Sequence, residues 1–401
     1  MNSKLSLLAK FAFILLLIAG ATAISCSADS IEIEPQIDPQ LSDSNEPDTP
    51  EPAPATGQFI ATASMGNDRQ SHHMVLLNDG RILTTGGRGK GVGGHRALVH
   101  PTAEIYDPAT EKWEYTGEQS EGRTKNLVAL LPDGSVLAAG GERETTEGVK
   151  SAERWDPSEG TWSQTGDMIK ARERSAWAQL LDGRVIVIGG FDTKKAKRLT
   201  AVEAYDPENG EWSELASMTT ERTLHTATTL LDGRVLVVGG GKLDGPHIDL
   251  AEIYDPESNT WTDAGNMLLG RVLHTATLLS DGRVLVVGGQ GKIVGGTGKV
   301  TSAEIWDPES SSWASAGNTE IPRSEHAATV LNDGRVLVTG GQGAKNTAEI
   351  YNPEDSSWIK TSDMIKSRFR HAVITLTDGR VLISGGVAED EVFAESELFI
   401  P

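Results

Sequence analysis

The amino-acid sequence predicts an all-β protein, a seven-bladed β-propeller with four antiparallel strands per blade, and three observations carry that prediction. An Asp-Gly dipeptide recurs at Asp79, Asp133, Asp182, Asp232, Asp281, Asp333 and Asp378. Each is followed by a short apolar run and a glycine pair, from Gly86-Gly87 through to Gly385-Gly386. A block reading AEIYDP or a close variant comes next, and after its proline a tryptophan, at Trp113, Trp162, Trp212, Trp261, Trp313 and Trp358. Self-similarity at a period of about 50 residues is the mark of a repeat architecture.

Taken in chain order, the first element lies outside the repeats. Lys4 and Lys10 precede an apolar run over residues 11–18, and small residues follow at 19–23, the pattern of an export signal. The run is too short for a membrane span. Ala21-Thr22-Ala23 suits ordinary signal cleavage, whereas Ala23-Ile24-Ser25-Cys26 resembles a bacterial lipoprotein box, with Ala23 where leucine is usual. Cys26 is the sole cysteine of the 401 residues, so no disulfide framework forms within one chain, and lipidation would account for its presence. The expected domains are therefore a signal over residues 1–25, a tether over 26–57 and the propeller over 58–401. The tether holds eight carboxylates, six prolines and no lysine or arginine, a composition that favours disorder. The signal contributes two positive charges and the tether eight negative ones, leaving −15 of the net −21 on the propeller. Nucleic acid and anionic lipid headgroups would be repelled by such a surface, so contact with a membrane is expected only through the lipid anchor.

Within a repeat, the stretch HTATLLSDGRVLVVGG reads as strand, turn and strand. Asp-Gly between apolar runs signals a tight hairpin, because glycine accepts the positive φ that the turn requires. The run after it is β-branched and nearly continuous, as in a strand buried on both faces. AEIW at residues 303–306 is the third strand, ended by Asp-Pro turn chemistry, and the fourth surrounds Trp313. The last repeat reaches residue 401 with its third strand only. Phe59 precedes Arg69 by ten residues, as Trp261 precedes Arg271, so residues 58–65 are expected to supply the missing outer strand and close the ring.

The double glycine, the third-strand aromatic, the fourth-strand tryptophan and their spacing resemble the Kelch repeat, over residues 58–401. The DGRVLVVGG runs are similar to those of bacterial Kelch proteins and of the galactose oxidase family propeller. That resemblance implies a binding module or, alternatively, a carbohydrate-acting enzyme of the epimerase kind or an envelope scaffold without a small ligand. Copper-radical oxidation, as in galactose oxidase, needs a cysteine cross-linked to tyrosine, and Cys26 lies outside the propeller. No cofactor, metal or catalytic residue is expected.

Topology puts the Asp-Gly and Asp-Pro turns on one face and the loops after Gly-Gly on the other. The first face is nearly identical in every repeat, whereas the second varies, and variable loops on a rigid frame are where specificity resides. Two of these loops are basic, one with Arg88, Lys90, His95, Arg96 and His100, the other with Lys194, Lys195, Lys197 and Arg198. With Trp177, a tryptophan outside the repeat pattern, they form the expected site for a glycan, peptide or protein ligand of anionic character. His95 and His100 also make a weak metal candidate. Arginine opens every inner strand, at Arg69, Arg123, Arg172, Arg222, Arg271, Arg323 and Arg368, and seven glutamates from Glu104 to Glu397 recur with equal regularity. Such arginines form either a cationic ring at the channel mouth or a set of structural ion pairs, and equal counts at fixed positions favour pairing. The expected whole is an exported envelope lipoprotein, or otherwise a secreted protein, monomeric and binding rather than catalytic.

Overall fold

In the computed structural model, residues 57–90, 98–145, 147–241 and 247–401 are described, and they form seven four-stranded antiparallel sheets. Residues 1–56, 91–97, 146 and 242–246 lie outside that set, and with them the signal, most of the tether, Cys26, His95 and Arg96. No described helix is long and apolar enough to cross a membrane.

Blade one runs outward through His73–Leu76, Ile82–Thr85, Thr102–Asp107 and Lys112–Glu118. Blades two to six repeat this order, with inner strands at Leu127–Leu130, Ala176–Gln179, Thr226–Thr229, Thr275–Leu278 and Ala327–Val330. Every second strand, such as Val235–Val238, is buried at all four residues, because it has a sheet neighbour on each side and a blade against each face. Blade seven combines Ala372–Thr375, Val381–Ser384 and Ser396–Ile400 with Gln58–Thr62, which pairs Phe59 opposite Phe399. The expected closure is thus formed, and Phe59 stacks at 4.9 Å on Phe399, as Trp113 stacks at 5.1 Å on Tyr106.

Two sets of bonds tie blade to blade. The second glycine of each pair donates its N–H to the backbone carbonyl of the next blade's arginine, from Gly87 to Arg123 at 2.9 Å round to Gly386 to Arg69 at 2.7 Å. Glycine is required there, since a Cβ on Gly87 (φ +89°) would come within 2.7 Å of the His72 Cβ. On the outer edge, tryptophan indoles donate to the preceding blade, Trp212 to Gly166 O, Trp261 to Ala216 O and Trp358 to Ala316 O, each at 2.8 Å.

The arginines lie inside the blades, fully buried, and so form no cationic ring at the mouth. Each pairs with the glutamate of its own blade: Arg69–Glu104, Arg123–Glu153, Arg172–Glu203, Arg222–Glu252, Arg271–Glu304, Arg323–Glu349 and Arg368–Glu397. Each also donates to the carbonyl of the first glycine, as Arg222 does to Gly239 O at 2.8 Å. The second glutamate oxygen accepts a backbone N–H from the loop arriving from the previous blade, for example Thr219 N–H at 2.8 Å. Burial pulls the guanidinium groups below their usual range, and the facing carboxylates oppose that pull. The ring of arginines is therefore an internal clasp, one per blade.

Candidate functional site

Two residues after each arginine the chain turns into the inner strand, and there every blade carries a non-glycine residue in the left-handed region: Ser71, Lys125, Arg174, Leu224, Leu273, Glu325 and Arg370, with φ between 52° and 58°. Side chains other than glycine adopt that conformation at a cost of about 1–2 kcal/mol. Hydrogen bonds between neighbouring blades offset it, forming a backbone collar around the channel mouth. Ser71 N–H donates to Arg370 O at 2.8 Å, Leu224 to Arg174 O at 3.1 Å, Leu273 to Leu224 O at 3.4 Å, Glu325 to Leu273 O at 3.1 Å and Arg370 to Glu325 O at 2.9 Å. Lys125 to Ser71 O, at 3.5 Å, is the weakest member. Among the described residues the step from blade two to blade three has no such bond.

All seven collar residues line a cavity of about 500 Å3 at the mouth, with Trp177, Ser175, His225 and Ala276 among its other walls. Trp177 is half-buried, its ring resting against the core shared by blades two and three. Unlike the clasp, the collar breaks sevenfold sameness. Blades seven, two and three bring cations, blades four and five bring leucine, and blade six brings a carboxylate.

The cations differ in how they are engaged. The Lys125 Nζ lies 2.7 Å from Glu142, and burial lowers its pKa. Arg370 Nε lies 2.6 Å from Glu325. Among the described residues Arg174 has only Glu173 as an ion-pair partner, at 3.5 Å, and its Nε is buried without a hydrogen-bond partner.

The histidines are neutral linkers between blades. Nε2 of His72 meets Ser384 at 3.0 Å, His274 meets Thr226 at 3.0 Å, His326 meets Thr275 at 2.9 Å and His371 meets Thr339 at 2.8 Å. Burial holds His72, His274 and His326 well below the usual imidazole range, and draws His225 and His371 to about 3 and His73 to about 4. Blade three has Ala176 and Ile188 where blades five and six offer Thr275 and Thr339, so neither ring nitrogen of His225 has a side-chain partner. His225 lines the cavity beside Arg174, Trp177 and Leu224, which gathers a guanidinium nitrogen without a hydrogen-bond partner, an indole face and an imidazole without a side-chain partner at the junction of blades three and four.

Of the described residues expected at the site, Trp177 is the one that reaches this cavity. Lys194 and Lys195 sit at the tip of a hairpin formed by Phe191–Asp192 and Lys197–Arg198, their backbone N–H groups capped by Asp192 at 3.0 Å. Lys197 and Arg198 line a separate cleft with Lys170 and Glu221, and Arg198 pairs with Glu221 at 2.7 Å. Arg88 pairs with Glu142 at 2.8 Å. Lys90 lines another cleft, beside Lys345, Phe369 and Phe393. His100 is buried against the Asp68 carbonyl at 2.9 Å, which makes it part of the loop's framework.

Sequence reasoning missed the collar, although a signal was present. The tetrapeptides RQSH, RTKN, RERS, RTLH, RVLH, RSEH and RFRH hold arginine constant while the third position ranges over both charges and leucine.

Residues 71–289 match the family model described as the KLHDC2/KLHL20/DRC7 Kelch-repeats domain, and residues 322–365 match that of the Kelch motif. No curated protein is matched. Among solved structures, the chain is similar to one described as a novel fungal alcohol oxidase with catalytic diversity among the AA5 family, in complex with copper. The two share 17% sequence identity over 86% of this chain and 76% of the oxidase, with a TM-score of 0.68, a likeness of fold alone. The residues at the mouth do not fit a copper centre. No tyrosine lines it, the Nε2 atoms of His72 and His371 are engaged with hydroxyls, and no described group of three or more His, Cys, Asp or Glu is placed to hold a metal.

Proposed function

The chain belongs to the Kelch-repeat family, and from that premise we propose that it is a binding module that takes a glycan, peptide or protein ligand of anionic character at the mouth of the channel. Kelch propellers commonly serve as protein-binding modules. The observation that carries the reading is the collar itself. Seven non-glycine residues are held left-handed at the rim of one cavity, in a ring whose side chains differ from blade to blade. Strain kept at a ligand-sized cavity is a mark of function. Arg174, Trp177 and His225 form its most available corner, suited to an anionic group carried on a flat or apolar body. The exposed loop lysines would steer such a ligand through long-range, salt-sensitive attraction.

The reading extends to the whole chain as an envelope lipoprotein, anchored through Cys26 by the acidic tether and acting as a monomer. An epimerase-like enzyme is the other reading, and it rests on the fold alone, which carries no reaction.

A glycan and peptide array probed with the mature protein tests the proposal. Arrayed ligands should be retained by the native protein and lost on Arg174→Ser and on Trp177→Ala. Lys194→Ser/Lys195→Ser/Lys197→Ser should weaken retention mainly at low salt. Retention that survives both mouth substitutions would move the site elsewhere.

A further inference from the structure

Behind the mouth, at the one step where the collar lacks its backbone bond, two buried carboxyl groups meet. Glu142 follows the glycine pair of blade two, and Glu173 stands between Arg172 and Arg174 of blade three. Their exposures are 3% and 5%, and the two carboxyl groups lie within reach of a shared hydrogen bond. A hydrogen bond between two carboxyl groups requires a proton on one of them, and burial makes double ionisation unfavourable.

The surrounding charges decide which group holds it. Glu142 is bracketed by Arg88 of blade one at 2.8 Å and Lys125 of blade two at 2.7 Å. Glu173 pairs directly with Arg174 alone among the described residues, at 3.5 Å, with Lys125 acting on it from farther off. Glu142 therefore stays ionised, held down to about 2, while burial and the bond to Glu142 push Glu173 up to about 7. Those three cations are the charged groups that face the pair. With Glu173 protonated, the cluster is net positive by two charges. Once Glu173 ionises, the excess falls to one, and Arg174 acquires a carboxylate of its own.

We propose that the mouth captures its anion together with a proton, the anion on Arg174 and the proton on Glu173, so that pH sets whether Arg174 is available to ligand. This rests on the reading of the mouth as an anion-binding site. A bound anion neutralises Arg174, the cation paired with Glu173, and so raises that group's affinity for its proton. By linkage, the proton strengthens ligand binding to the same degree. Glu173 is not itself a wall of the cavity; it acts through Arg174, which is, as a positioning residue.

Benzoate, a carboxylate on a flat apolar ring and ionised throughout the range, is a suitable probe. Calorimetric titration of the full-length protein at pH 6 and pH 8, in buffers of different ionisation heat, gives affinity and proton uptake together. If binding raises the Glu173 pKa by one unit, affinity should fall about fivefold from pH 6 to pH 8, with net proton uptake near pH 7.5. Glu173→Gln, whose amide can donate to Glu142 as the acid does, should keep the acid-side affinity at pH 8 and take up no proton. Carbon-13 NMR of the labelled Glu173 carboxyl should show it titrating near neutrality without any ligand.

A pH dependence that persists in Glu173→Gln, or a Glu173 carboxyl already ionised at pH 6, overturns the proton linkage and leaves the binding site standing. Benzoate that does not bind, or that binds equally well to Arg174→Ser, overturns the anion site and the linkage with it. Melting curves of each variant separate these outcomes from loss of fold.

Discussion

Arg222 and Glu252 form a buried ion pair inside a single blade, with Nη2 2.8 Å from Oε1 and the guanidinium wholly out of solvent. The carboxylate does three things at once: it neutralises the arginine, accepts Thr219 N–H at 2.8 Å and accepts the Thr219 hydroxyl at 2.6 Å. Removing it strands a charge and two donors. Glu252→Ala is expected to lower stability by about 3–5 kcal/mol, the range for breaking a buried pair from one side. Chemical denaturation measures this, and a loss under 1 kcal/mol would mean that water reaches the clasp.

Acid should unfold the propeller earlier than its carboxylates alone would dictate. The imidazoles of His72, His73, His225, His274, His326 and His371 all have folded-state pKa values below the ordinary 6.5 because they are buried. The unfolded chain therefore binds more protons as pH drops below 6.5. Each group then removes up to about 1.4 kcal/mol of stability per pH unit, down to its folded-state value. Glu173 works in the opposite sense between about 7 and its ordinary 4.5, since its folded state holds the proton more tightly. Melting temperature should decline steadily from pH 6.5 to pH 4.5, and His274→Gln should make the decline shallower.

Closure of the ring depends on Gln58–Thr62. Removing residues 26–56 should leave the melting temperature within a degree or two, whereas removing residues 26–66 should lower it by at least about 10 °C. The second deletion takes away the outer strand of blade seven and the aromatic partner of Phe399. Equal melting of both forms would show that the strand is dispensable.

Anchoring is tested on the precursor. Cys26→Ser should abolish metabolic labelling with palmitate and move the protein from the membrane fraction to the soluble one. A wild-type protein that is already unlabelled would instead support ordinary cleavage after Ala23.

What could be read in advance follows from what each residue answers to. Asp-Gly, Gly-Gly and the tryptophans specify backbone geometry within one repeat, so their spacing alone yields the blade and its closure by Phe59. The pairing of Arg222 with Glu252 was legible as equal counts, but not as a bond within one blade, because either neighbour could have supplied the partner. The mouth was not legible in this way. Its members lie about 50 residues apart in sequence and meet only when the ring closes, and the lysines at 194, 195 and 197 drew attention because they stand side by side. Glu142 and Glu173 show the same limit, since each looks like an ordinary surface charge until blades two and three bring the carboxyl groups together.

The collar has one more consequence. Its bonds run between main-chain atoms, so the collar itself asks only for tolerance of a left-handed turn at Ser71, Leu224 and Leu273, whereas Lys125, Arg174, Glu325 and Arg370 also form ion pairs. The rim is in effect a seven-character word written on a fixed frame. The characters that form no ion pair can be changed while the frame stays as it is, so a lineage or a designer could respell part of the rim for a new ligand by point substitution, without reshaping a single loop.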